Sequence, residues 1–152
     1  MKAVKADPEL QQRQLRTSVV GRLLIAGSLH SEQYQAAIEI HRVWTAVTRA
    51  LFARVQSYER LGRVMTPTDW TPSLTRAYRD RYAPWRDEAS QTLVRHRQTT
   101  ADVVFLVAVD NCGCRQVADR LHMDQRRVLR IVQNSLWRYA EIAEWIEQKK
   151  SA

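Results

Sequence analysis

Apolar and polar residues alternate with helical spacing along most of this chain, and this pattern predicts an all-α fold. The run 18–26 predicts a short helix that ends in a turn at Gly27. A long helix should follow, from Glu32 to about Tyr58. Residues 1–17 are polar and lack periodicity, so they are expected to form a flexible arm, with any helix confined to its end. Residues 18–61 are therefore interpreted as an N-terminal helical part.

The long helix carries an apolar stripe whose steps alternate between three and four residues, as an amphipathic helix requires. Ser31 is the expected N-cap of this helix. We expect the stripe to pack on the rest of the chain, and a homodimer seam is the open alternative. The predicted stripe consists of Tyr34, Ala37, Ile38, His41, Trp44, Thr45, Thr48, Leu51, Phe52 and Val55.

The middle of the chain is less regular. Residues 62–73 contain two prolines and no periodicity, which predicts a linker or a long loop. Residues 74–98 should connect it to the C-terminal part through two short helices, roughly 73–82 and 84–97. Pro84 suits the first turn of the second helix. Aromatic side chains in this stretch are expected in the core, with the arginines outside.

Residues 99–148 predict a C-terminal helix-turn-helix. Thr99 and Asp102 have the spacing of a capping box. The apolar run 103–109 is compatible with a strand, but it is interpreted as a buried helix because it would be the first of a three-helix unit. The run CRQVADRLHMDQRRVLRIVQ, at 114–133, then predicts a helix, a tight turn and a second helix capped by Asp124.

The second of these helices has two contrasting faces. At about 100° per residue, its apolar residues fall on one side, whereas Arg126, Arg130 and Gln133 fall on the other. Arginine can bind guanine through two hydrogen bonds, and glutamine or asparagine can do so with adenine. The predicted base contacts are Arg126, Arg130 and Gln133, assisted by Gln125 and Asn134, and the predicted phosphate contacts are Arg115, Arg127 and Arg138. The turn has His122 where glycine is common, and histidine tolerates a positive φ better than a branched residue does.

Composition narrows the classes of function. The 152 residues carry a net charge of +8, which favours a polyanionic partner, with nucleic acid ahead of an anionic membrane surface. No apolar run approaches the ~20 residues of a membrane-spanning helix, and the N-terminus lacks a secretory signal pattern. No phosphate loop, nucleophile motif or metal-ligand spacing is present, so neither an enzyme nor a metal or cofactor site is predicted. The only cysteines, Cys112 and Cys114, are interpreted as small turn residues of a reduced, cytoplasmic protein.

The segment from Val103 to Tyr139 resembles region 4 of bacterial sigma factors, in the apolar helix, the short turn and the run QVADRLHMDQRRVLRIVQNSLWRYA. The resemblance covers about a quarter of the chain. It implies a unit that binds promoter DNA in the major groove and contacts RNA polymerase, with Arg126, Arg127 and Arg130 as DNA contacts. The polymerase-core-binding region of a full sigma factor is absent.

The chain also resembles phage-derived transcription regulators of alphaproteobacteria, of the gene-transfer-agent activator type. The residues concerned are GRLLIAGSLHSEQYQAA at 21–37 and DNCGCRQVADRLHMD at 110–124. This resemblance implies a nucleoid-associated activator that works with RNA polymerase, or with a co-regulator, on phage-like genes.

Sequence-specific binding of double-stranded DNA in transcription control is therefore the predicted function. Two alternatives stay open. One is a small-terminase-type packaging protein, although such proteins usually place the DNA-binding unit first. The other is an interaction module whose helix-turn-helix binds a protein and not DNA.

Overall fold

The computed structural model describes residues 8–61 and 70–146. These residues form a predominantly helical protein with one short hairpin, which confirms the predicted fold class. In chain order the elements are α1 (Pro8–Thr17), α2 (Val19–Ile25), α3 (Ser31–Leu61), α4 (Pro72–Arg76), a π-helical segment (Ala77–Tyr82), α5 (Ala83–Ser90), β1 (Leu93–Arg95), β2 (Gln98–Thr99), α6 (Thr100–Ala108), α7 (Cys114–Leu121) and α8 (Gln125–Ile142).

The first two helices form a close pair. Helix α1 (Pro8–Thr17) occupies the end of the stretch predicted as an arm, where the prediction allowed a helix, and residues 1–7 lie outside the described residues. Helix α2 confirms the predicted short helix and is capped by the Ser18 hydroxyl, which accepts a hydrogen bond from the Gly21 N–H at 3.0 Å. A Cβ atom at Gly21 would lie 2.1 Å from the Leu15 carbonyl oxygen. The helices can therefore approach this closely only because Gly21 has no side chain.

Helix α3 confirms the predicted long helix but buries a different face. It begins at Ser31, and the His30 N–H donates to the Gln33 side chain at 2.7 Å, so the cap lies at His30 and not at Ser31. Burying a polar group requires such a partner, and Gln33 is only 4% exposed. The residues of α3 that are buried in the core are Ala36, Ala37, Ile40 and Val43.

The predicted stripe of α3 lies about one residue, or ~100°, around the helix from the face that is buried in this core. Ile38 is 45% exposed, Leu51 55% and Phe52 65%. The prediction that the whole stripe packs within the chain is therefore wrong for these residues. Both faces of α3 contain apolar side chains, and periodicity alone does not say which of them meets the core.

The middle of the chain forms one continuous helical run from Pro72 to Ser90. Linker residues 62–69 lie outside the described residues, but Pro72 and Ser73 belong to α4, capped by Thr71. The π-helical segment ends two residues before Pro84, which has no N–H and whose ring would crowd the carbonyl four residues back. A wider turn relieves that clash. The predicted helix over 84–97 ends early, at Ser90, because residues 93–99 form the antiparallel β1–β2 hairpin.

The last three helices adopt the predicted helix-turn-helix arrangement. Helix α6 is a buried helix and not a strand, and Thr99 and Asp102 form the predicted capping box. Helix α8 packs against α3, α6 and α7. It ends at Ile142, six residues before the end of the predicted unit at 148. Glu144 takes a positive φ of 61°, and the Trp145 N–H donates back to the Ala140 carbonyl at 3.0 Å.

One buried core joins the N-terminal helices to the helix-turn-helix. Where α3, the π-helical segment and α8 meet, the Glu39 carboxylate of α3 accepts two hydrogen bonds from Arg81 of the π-helical segment, at 2.8 and 2.6 Å. It also accepts one from the hydroxyl of Tyr139 on α8. Burial and the hydrogen bond to Glu39 both raise the pKa of Tyr139, so the phenol stays a donor.

Replacing Gly21 with alanine should separate α1 from α2. The added Cβ would collide with the Leu15 carbonyl, and such overpacking costs about 1–3 kcal/mol. Urea denaturation would measure the loss. Gly113→Ala is the control, because a Cβ there meets nothing within 4 Å, and its stability should change by less than about 1 kcal/mol. Equal stability of both variants would contradict the close approach at Gly21.

Candidate nucleic-acid interface

The turn between α7 and α8 sets the direction of the candidate recognition helix. His122 ends α7 with φ 52° and ψ 50°, the left-handed conformation that the missing glycine would otherwise supply. Asp124 is the N-cap of α8, as predicted, and its carboxylate accepts a hydrogen bond from the Arg126 N–H at 3.1 Å. This chain therefore makes a tight helix-turn-helix turn without glycine.

The first turns of α8 present a polar face to solvent. The side chains of Gln125, Arg126, Arg127, Arg130 and Asn134 are all exposed. Within residues 8–61 and 70–146, none of these side chains makes a hydrogen bond or ion pair. The opposite face is anchored, since Val128 is 0% and Val132 1% exposed. Rigid backbone with free guanidinium groups is the arrangement that groove binding by a helix requires.

Gln133 is not part of this exposed face, which corrects its predicted role in base recognition. Its side-chain Nε2 donates to the Ser28 backbone carbonyl at 2.7 Å, and its backbone carbonyl accepts a hydrogen bond from Gln33 Nε2 at 2.9 Å. One turn further on, Trp137 stacks on His30 with ring centroids 5.4 Å apart. The side of α8 that begins with Arg126 and Arg130 is therefore exposed only in its first turns, because the α2–α3 loop covers the part further along the helix.

Arg138 is also occupied, which corrects its predicted role as a phosphate contact. Its Nε lies 2.9 Å from a Glu88 carboxylate oxygen, and a second nitrogen lies 3.0 Å from Glu141. The hydrogen bond to Glu88, and to a smaller extent the one to Glu141, raises the pKa of Arg138. Its charge is locally compensated, and it lies near the end of α8 away from the exposed first turns. Arg115, by contrast, is exposed at the start of α7 and makes no ion pair with any described residue.

The β1–β2 hairpin brings further basic residues to the same end of the molecule. Arg95 donates to the carbonyl of His122, in the turn that leads into α8. His96 and Arg97 form the exposed tip of the hairpin. Sequence reasoning placed residues 95–97 at the end of a helix over 84–97 and noted that the basic run 95–100 could contact phosphate. It did not predict the hairpin, whose tip has neither glycine nor asparagine, the usual signals of a two-residue turn. We call Gln125, Arg126, Arg127, Arg130 and the hairpin tip the basic end.

Other kinds of site find little support in the part of the chain that the structure describes. A surface cleft of about 260 Å³ lies between α5 and α8 beside Asn134, smaller than most small-molecule pockets. The described residues contain no group of three or more side chains able to hold a metal ion. Cys112 and Cys114 are free thiols, and burial raises the pKa of Cys114. None of the described helices is long and apolar enough to span a bilayer.

Comparisons with family models, with curated proteins and with solved structures found no match to this chain.

Gln133→Ala should weaken the fold and leave nucleic-acid preference unchanged. It removes the hydrogen bond to the Ser28 carbonyl, worth about 1 kcal/mol, between α8 and the α2–α3 loop. Urea denaturation would measure this loss. Unchanged stability together with an altered preference among DNA sequences would return Gln133 to the recognition surface.

Proposed function

We propose that this protein is a sequence-specific DNA-binding transcription regulator whose recognition helix is α8. The observation that carries the proposal is the exposed face of its first turns, where Arg126 and Arg130 have free guanidinium groups on an anchored backbone. A net charge of +8 supports a polyanionic partner. Arg126 and Arg130, assisted by Gln125 and Asn134, would contact base edges. Arg127 and Arg115 would contact phosphates.

The proposed mechanism is insertion of the N-terminal end of α8 into the major groove. Helix α8 packs against α3 and α6, so the backbone that carries the arginines is positioned before DNA arrives. Binding would then require little reordering of the backbone, which favours affinity. The resemblance to sigma region 4 and to gene-transfer-agent activators supports an activator working with RNA polymerase on phage-like genes, associated with the nucleoid.

We also propose a homodimer through the exposed face of α3. The proposed seam consists of residues spaced in alternating steps of three and four, as in a coiled coil: Ile38, His41, Thr45, Thr48 and Phe52. Thr45 and Thr48 donate their hydroxyls to carbonyls of α3 itself, at 2.8 Å each, so they need no partner across the seam. A seam of this kind is self-complementary, which favours a second copy of the chain over another protein.

Selection of bound duplexes from a random DNA pool tests the recognition role. The wild type should enrich a motif that Arg126→Ala/Arg130→Ala loses. Arg22→Ala/Arg49→Ala is the matched control, because it removes two exposed arginines outside the basic end and should retain the motif. Enrichment of no motif by the wild type would contradict sequence-specific binding and favour a protein-interaction role.

Single substitutions should separate base contacts from phosphate contacts. Arg130→Ala should cost about 1–3 kcal/mol at one base position and relax specificity there. Arg127→Ala should weaken binding to all duplexes alike and lower the slope of log K against log salt by about one unit. Fluorescence anisotropy over a salt series would measure both. The assignment fails if Arg127→Ala changes the preferred base or Arg130→Ala does not.

Phe52→Glu should shift the protein from dimer to monomer, because it places a charge in the proposed seam. Sedimentation equilibrium would measure the mass. Leu93→Glu is the control, since Leu93 is an equally exposed apolar residue, at 72%, that lies on β1 and not on α3. A monomeric wild type at all accessible concentrations would overturn the dimer, and a ring of many copies would favour the packaging alternative.

A further inference from the structure

The β1–β2 hairpin joins two basic residues at its tip with an unusual backbone. Only His96 and Arg97 separate Arg95 from its partner Gln98 in β2. Both tip residues have positive φ, 50° and 67°. Two-residue turns with two positive φ angles favour asparagine and glycine, which adopt that conformation at low cost. Here histidine and arginine occupy it, so the tip exposes a long cationic side chain at the cost of a less favourable turn.

One hydrogen bond closes the base of the hairpin, and two contacts hold the hairpin against the helix-turn-helix. The Thr100 N–H donates to the Thr92 carbonyl at 3.0 Å and closes the base of the hairpin. Val94 points inward and packs on the core. Arg95 donates to the carbonyl of His122, two residues before the cap of α8. The tip is therefore attached to the turn that places the recognition helix and is not an independent loop.

The charge at the tip is uncompensated by its surroundings. His96 and Arg97 are exposed, and neither makes an ion pair with a residue that the structure describes. The Arg95 guanidinium donates a hydrogen bond to the His122 carbonyl, and because that acceptor is neutral, the positive charge of Arg95 is not cancelled. Several cations held beside the start of α8 create a field that attracts a polyanion.

We infer that the hairpin is a second DNA-contacting element, whose Arg97 binds a backbone phosphate beside the major-groove site of α8. This inference rests on the proposed function and adds a contact that the helix-turn-helix alone does not supply. A phosphate contact carries no base information, but it sets the register and tilt of the protein on the duplex. The link from Arg95 to His122 couples that register to the direction of α8.

The test is a variant that improves the turn and removes the charge, His96→Asn/Arg97→Gly. Its thermal stability should equal or exceed that of the wild type, because asparagine and glycine suit the two positive φ angles. Its affinity for the duplex enriched by the wild type should fall about three- to tenfold, and the salt slope should fall by about one unit. Discrimination between matched and mismatched duplexes should be unchanged.

Two further variants make the result specific. Arg97→Lys keeps the charge and should keep the salt slope of the wild type. Arg22→Ala removes one exposed charge from α2 and should leave both affinity and slope nearly unchanged. Wild-type affinity and slope in His96→Asn/Arg97→Gly, with binding still lost in Arg126→Ala/Arg130→Ala, would overturn the inference and leave the proposed function intact. Failure of the wild type to bind any duplex would overturn both.

Discussion

The buried carboxylate of Glu39 holds this structure together. A charge taken out of water is costly unless it is paired and hydrogen-bonded, and Glu39 meets that condition only where α3, the π-helical segment and α8 converge. Arg81 provides two of the hydrogen bonds because the wide π turn carries it to this point. Sliding or rotation of the three elements would take Arg81 and Tyr139 away from the carboxylate and leave it only Arg42 of its own helix, 3.8 Å away. The network therefore specifies one mutual arrangement, which apolar packing alone would specify less sharply.

Helix α8 consequently has two roles along its length. Its middle and C-terminal turns form the centre of the core, with Leu136 and Tyr139 at 0% exposure, and Trp85 donates its indole N–H to Ser135. Its first turns are anchored through Val128 on one side and expose their arginines on the other. The part of the basic end that lies on α8 is thus one face of a helix anchored in the shared core, and its position depends on packing with the N-terminal helices.

Sequence reasoning was most accurate where local chemistry dominates. The Asp124 cap, the Thr99–Asp102 capping box and the end of α2 at Gly27 each depend on residues a few positions apart, and the structure confirms all three. It was least accurate where one periodic pattern admits two solutions. The predicted stripe of α3 does not coincide with the buried face, because that helix is apolar on two sides. The hairpin was missed because His96 and Arg97 adopt turn geometry that their residue types do not favour.

Helical periodicity and capping are local properties, so residue patterns alone are enough to predict a helical chain, a helix-turn-helix at residues 114–142 and an arginine-bearing face on α8. Which of those polar residues remain free depends on long-range packing and is seen only in the folded protein. Gln133 and Arg138 share the polar character of Arg126 and Arg130, yet the α2–α3 loop and Glu88 occupy them. Those partners lie 105 and 50 positions away in the chain, a separation at which no local pattern reports contact. Packing between distant parts of the chain therefore decides which residues belong to the basic end.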